Sequence, residues 1–117
     1  MRHKTHREAG DSVVLYPDNY INVVEGEKLE DLCDHYIDLG FKRIVIDFSS
    51  TELINSIGIS ILIGIIEKVR ERKGSVAFSG LKAVNYDIFN IVGLTKHIPV
   101  FKTDEEAVKE YGGHAAL

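Results

Sequence analysis

The 117-residue chain reads as an α/β domain with a small mixed sheet of about four to five strands and about four helices. Three observations predict it. Arg43 to Phe48 is almost continuously apolar and β-branched, which suits a strand buried on both faces, as in a parallel sheet. An isoleucine-rich helical segment follows it, and Ser75-Val76-Ala77-Phe78-Ser79 then reads as a second strand. Strand, helix and strand in this order make a βαβ unit, right-handed almost without exception. Finally, Gly40, Gly74, Gly80 and Gly93 each stand where a periodic segment stops, as residues tolerant of left-handed geometry should.

In chain order, Met1 to Gly10 carries Arg2, His3, Lys4, His6 and Arg7 without periodicity and reads as a flexible N-terminal arm. Ser12 to Tyr16 is a short strand ended by the turn Pro17-Asp18-Asn19. Tyr20 to Val24 suits a second strand, because Tyr, Ile and Val favour a pleated surface. From Glu25 to Leu39 the apolar residues Leu29, Leu32, Cys33, Tyr36 and Ile37 follow helical spacing. The strand Arg43 to Phe48 comes next, then a polar turn and a helix over 56–73. After the strand 75–79, Val84, Ile88, Ile91 and Val92 mark a third helix over 82–92. Ile98 to Phe101 is an edge strand, since Pro99 cannot donate to a ladder. Thr103 or Asp104 caps a last helix over 105–111, and residues 112–117 read as a flexible tail. One domain, residues 11–111, therefore carries whatever the chain does.

The turn Asn55-Ser56-Ile57-Gly58 places a serine at the mouth of the central helix. There a hydroxyl can accept a first-turn N–H, and the helix dipole favours negative charge. Ser56 is thus either an ordinary N-cap or a site where a phosphate would be stabilised. Advancing by about 100° per residue groups Gly58, Ile59, Leu62, Ile63, Ile65, Ile66 and Val69 on the core side. Ser60, Gly64, Glu67, Lys68 and Glu71 face solvent. Ile57 and Ile61 project with this polar set beside Ser56, either as a partner-docking patch or covered by the third helix.

Composition narrows the function. The formal charge of −4 arises from interspersed acids and bases with no basic stripe, so nucleic acid is not an expected partner. The single cysteine, Cys33, forms no internal disulfide and sits among the apolar positions of its helix, which suits a structural thiol in a reducing compartment. His3 and His6 lack a third ligand, and no metal or other cofactor is expected. The N-terminal residues show no apolar leader, and 57–66 falls short of the ~20 residues of a membrane span. The expectation is a cytoplasmic monomer.

No phosphate loop, dinucleotide fingerprint or nucleophile elbow is present, so no catalytic residues are assigned and the chain is not read as an enzyme. Asp47 would suit the phosphoacceptor of a receiver domain only with an acidic pair after the first strand. Pro17-Asp18-Asn19 supplies one carboxylate, and Asp47 is read instead as fixing the following turn.

From about Asp11 to Tyr111 the chain resembles the STAS domain, the family of bacterial anti-sigma factor antagonists. The resemblance rests on Ile44-Val45-Ile46-Asp47 before a polar turn, and on Asn55-Ser56-Ile57-Gly58 where the family usually reads Asp-Ser-x-Gly. It rests also on Gly74 with the Val76 to Gly80 strand, on Val92-Gly93-Leu94 with Ile98, and on Asp104-Glu105-Glu106-Ala107. It implies a sheet flanked by helices, no catalysis, and a serine, here Ser56, phosphorylated by an anti-sigma factor that is also a serine kinase. The unmodified form would bind that partner through Asn55, Ser56, Ile57, Gly58, Ser60, Ile61 and Gly64, and the phosphorylated form would be released. Asn55 departs from the family's acid and leaves the turn one unit less negative. The alternative is a STAS module that works without phosphorylation, as a scaffold or ligand-binding subunit of a sensory or transport complex.

Overall fold

The computed structural model describes residues 5–112. Five strands form one mixed sheet in the order β1-β2-β4-β6-β7: β1 (His6–Ala9), β2 (Ser12–Leu15), β4 (Arg43–Asp47), β6 (Ser75–Ser79) and β7 (Val100–Phe101). β1 runs antiparallel to β2 and every other pair is parallel. A separate pair, β3 (Tyr20–Ile21) and β5 (Leu53–Ile54), lies parallel outside this sheet. The helices are α1 (Val23–Asp38), α2 (Ser56–Glu71), α3 (Ala83–Ile91) and α4 (Asp104–Ala107), with a 3-10 turn at Leu94–Lys96 and a π turn at Val108–Gly112. The predicted α/β class, the mixed sheet and the four helices are all present.

The main core lies between one face of the sheet and α1 to α3, and includes Leu15, Ile44, Ile46, Leu62, Ile65 and Val69. Phe48, Phe78 and Phe89 meet edge-on with centroids 5.3–5.5 Å apart, the arrangement that ring quadrupoles favour. The opposite sheet face is covered by a smaller cluster of Val14, Val45 and Ala107.

Several expectations are corrected. Within the arm predicted for residues 1–10, His6–Ala9 is a strand; residues 1–4 lie outside the described residues. Gly10, at φ +63°, opens a two-residue hairpin turn before Ser12, and Arg7 holds the new strand by donating to Tyr16 Oη and Asp104 Oδ2, both at 3.2 Å. Val23 and Val24 belong to α1 rather than to a strand, because Asn22 Oδ1 accepts the Glu25 N–H at 3.1 Å and starts the helix earlier. The stripe Val84, Ile88, Ile91, Val92 does not face the core: Asn85 and Phe89 are the buried residues of α3, since Phe89 completes the aromatic cluster. The last helix is one α turn followed by the π turn; of the tail, residues 113–117 lie outside the described residues.

Candidate functional site

The site is built where β4 ends and the chain turns into α2. Asp47 is buried and accepts from the Ser49 N–H at 3.0 Å, from Ser79 Oγ at 2.7 Å and from the Ser49 hydroxyl. It fixes the turn, as the sequence reading expects. Thr51 Oγ1 donates to the Asp18 carbonyl at 2.9 Å, and Glu52 N–H to the Asn19 carbonyl at 2.8 Å. Buried Asn85 of α3 donates to the Thr51 carbonyl at 3.3 Å. The segment before α2 is thus tied on both sides.

Asn55, not Ser56, is the N-cap: its Oδ1 accepts the Gly58 N–H at 2.8 Å, and its Nδ2 donates to Tyr20 Oη at 3.2 Å. Ser56 is the first helical residue and is exposed. Its hydroxyl has no hydrogen-bond partner among the described residues. The first N–H groups of a helix have no intrahelical acceptor, and with that of Gly58 satisfied by Asn55, those of Ser56 and Ile57 remain at the positive end of α2. The structure therefore separates the two roles weighed for the serine: the neighbouring amide caps, and the hydroxyl stands free. No acid or base side chain activates it, so its chemistry depends on a catalyst brought by another molecule.

Gly58 is required by packing. A Cβ there would stand 2.5 Å from the Ile21 carbonyl oxygen, closer than real Cβ contacts. Ile57 is 52% exposed and Ser60 is exposed, while Gly64 is half-buried with no atom within 4 Å of an added Cβ. Ile61, by contrast, is half-buried and packs against the core. It is covered from α1, where a Cβ on Gly26 would lie 2.7 Å from Ile61 Cδ1, and not by the third helix. Conversely Ile63, predicted on the core side, is 38% exposed. Ile57 and Ile61 remain more exposed than Leu62, Ile66 and Val69.

Exposed Tyr20, Val23, Val24 and Leu53 come from segments that converge on Asn55 and extend the apolar surface around Ile57. The sequence reading did not include them in the site. The signal for them is the apolar, β-branched pattern at 20–24, which a buried strand would explain equally well. Charged groups on these segments include Asp18, Glu25 and Glu52; Lys82 donates to the Ser49 carbonyl at 2.7 Å and lies 3.7 Å from Glu52. Elsewhere, Cys33 is buried in α1, and burial, helped by Asp34 and Glu30, pushes its thiol up to about 12, which makes it inert at neutral pH. Among the described residues no cluster of three metal-ligating side chains occurs, and no helix is long and apolar enough to cross a membrane.

A family model described as the STAS domain matches residues 3–107. BtrV of Bordetella bronchiseptica, named as a candidate anti-sigma factor antagonist, is 25% identical over 91 residues, 78% of each chain. Among solved structures, the anti-sigma factor antagonist SpoIIAA in its unphosphorylated form superposes with a TM-score of 0.78 at 17% identity, over 92% of this chain and 95% of that one. The phosphorylated form of SpoIIAA, from Bacillus, gives 0.72 at 17% identity over 91% and 96%. A sulfate transporter family protein from Wolinella succinogenes gives 0.84 at 15% identity over 93% and 91%. At these identities the structures speak for the fold.

Proposed function

Since this chain belongs to the STAS domain family, we propose that it is an anti-sigma factor antagonist: a protein-binding switch whose partner is an anti-sigma factor with serine kinase activity and whose control is phosphorylation of Ser56. The observation that carries the reading is the free, exposed Ser56 hydroxyl at the start of α2, with capping delegated to Asn55. The kinase would transfer the γ-phosphoryl group of ATP to Ser56 Oγ and release ADP. The unmodified protein would dock through Ile57 with Asn55, Gly58, Ser60, Ile61 and Gly64 around it. The chain itself works as a binding module and supplies no catalysis. Its anchored domain spans residues 11–111, with the β1 strand added to its edge.

The test is incubation with a candidate anti-sigma kinase and ATP, followed by intact mass and peptide mapping. One phosphate on Ser56, absent from Ser56→Ala, supports the switch. An unmodified protein that nevertheless binds the partner would favour the second reading, a STAS scaffold that works without phosphorylation. Asn55 is the observation behind that alternative, because it removes the acid that the family usually places beside the serine.

A further inference from the structure

A second apolar surface lies away from Ser56, on α3 and the turn after it. Val84 is 55%, Ile91 82% and Val92 47% exposed, so this helix presents to solvent the stripe that ordinarily faces a core. Beside it, α2 and the 3-10 turn enclose an open groove of about 220 Å³ with Ile66 and Ile98 buried beneath Ile63 and Leu94, and with Glu67, Arg70 and His97 on its rim. Monomeric proteins seldom expose contiguous apolar patches of more than a few hundred Å² without a use for them. Several charges border this one, and two of opposite sign lack an ion pair among the described residues. Asp87 is the sole charged residue of α3, and the Arg70 guanidinium reaches only the His97 carbonyl, at 3.4 Å. Among the described residues neither has an ion-pair partner.

We propose that this face joins two copies of the chain about a two-fold axis near Ile91. A two-fold interface needs a patch that complements itself, and this one holds both halves: a protruding apolar helix bearing an acid, and, past the end of that helix, an apolar groove bearing a base. Antiparallel packing of α3 on its counterpart sets Ile91 against Ile91 at the axis. It brings Ile88 of each copy toward the groove side of the other, near Leu94 and Ile63, and turns Asp87 toward the other copy's Arg70. A helix of nine residues makes a small contact, so the association belongs with weak interfaces burying less than about 1,200 Å² in total. The inference replaces the monomer expected from the sequence and does not depend on the role of Ser56.

Sedimentation velocity of the full chain between about 1 µM and about 1 mM tests it. The expected result is a dimer that grows with concentration and is lost in Ile91→Lys, whose melting temperature should stay unchanged because the side chain is exposed. Asp87→Arg and Arg70→Asp should each weaken dimerisation roughly tenfold, and the two together should restore it. Ile57→Lys should leave it intact. A monomer throughout the range, a dimer indifferent to Ile91→Lys, failure of the double variant to recover, or loss on Ile57→Lys would each overturn the proposal.

Discussion

Gly58 and the Ile21 carbonyl oxygen are so close that a single methyl group on the glycine would stand 2.5 Å from that oxygen. The contact seats the first turn of α2 directly on β3, and backbone on one side leaves little room to yield. Gly58→Ala should therefore cost about 1–3 kcal/mol, the range for forcing extra volume into a packed site. Urea denaturation would measure it, and a variant as stable as the parent would mean that α2 can slide away from β3.

Asn55 makes two bonds that differ in what they require. Its Oδ1 caps Gly58, and its Nδ2 donates to Tyr20. Asn55→Ala should lower stability by about 0.5–2 kcal/mol. Asn55→Asp should retain the cap, let the Tyr20 hydroxyl donate in place of receiving, and gain from the helix dipole, leaving thermal stability equal or slightly higher. A clear loss in the Asp variant would show that the amide hydrogens are needed.

Ile57 and Ile61, one helical turn apart, should respond differently to the same change. Ile57→Lys should leave the melting temperature almost unchanged and weaken partner binding. Ile61→Lys should cost about 1–3 kcal/mol, because Gly26 of α1 closes over that side chain and a buried charge is penalised. Thermal melts of the two variants, with titration against the partner, separate stability from docking.

Phosphate on Ser56 should not unfold the domain, because it would lie at the N-terminus of a helix of sixteen residues. Its effect should fall on affinity. Within a contact that buries Ile57, an unpaired phosphate costs roughly 2–5 kcal/mol, or about 30-fold to a few thousand-fold. Calorimetry should show that phosphorylated protein binds the anti-sigma partner that much less tightly than Ser56→Ala; equal affinities would remove the switch.

Asp104 should make stability fall in acid. Burial alone would raise its carboxyl, but hydrogen bonds from Tyr16 and Arg7 outweigh that and hold it below the ordinary range. A carboxyl depressed by folding contributes stability above its unfolded value of about 3.9 and loses it as the pH drops through the lower folded value. Denaturation midpoints followed from pH 6 downward should decline below about pH 4, and less steeply in Asp104→Asn. Equal slopes in the two proteins would place the acid sensitivity elsewhere.

Much of this architecture is legible in the sequence because its strongest signals are local. The β-branched run of β4, the long α2 pattern and the polar turn between them are set by residues within a few positions of one another, and they place Ser56 correctly. What escaped depends on partners distant in sequence. His6–Ala9 looks like a charged arm until β2 supplies its ladder, and β5 is two residues long, so only β3 beside it makes it a strand. Helical spacing shows that α3 has an apolar stripe, but not that Phe89 would be drawn inward by Phe48 and Phe78 and turn the stripe outward. The same limit exchanges Ile61 and Ile63: angle about the helix axis is local, whereas the approach of α1 at Gly26 is not. In the site, Asn55 as cap and the apolar flank from Tyr20 to Val24 appear only once β3 and β5 are paired.

The bond between Arg7 and Asp104 joins residues 97 positions apart in the chain. At ribosomal speeds of about 5–20 residues per second, Asp104 is made about 5–20 s after Arg7. Throughout that interval the first strand can form its hairpin with β2, since the Gly10 turn is local, but it lacks the charged latch that later fastens it. The outer edge of the sheet is thus loosest while the nascent chain is still being extended, and the arrival of α4 is what closes it.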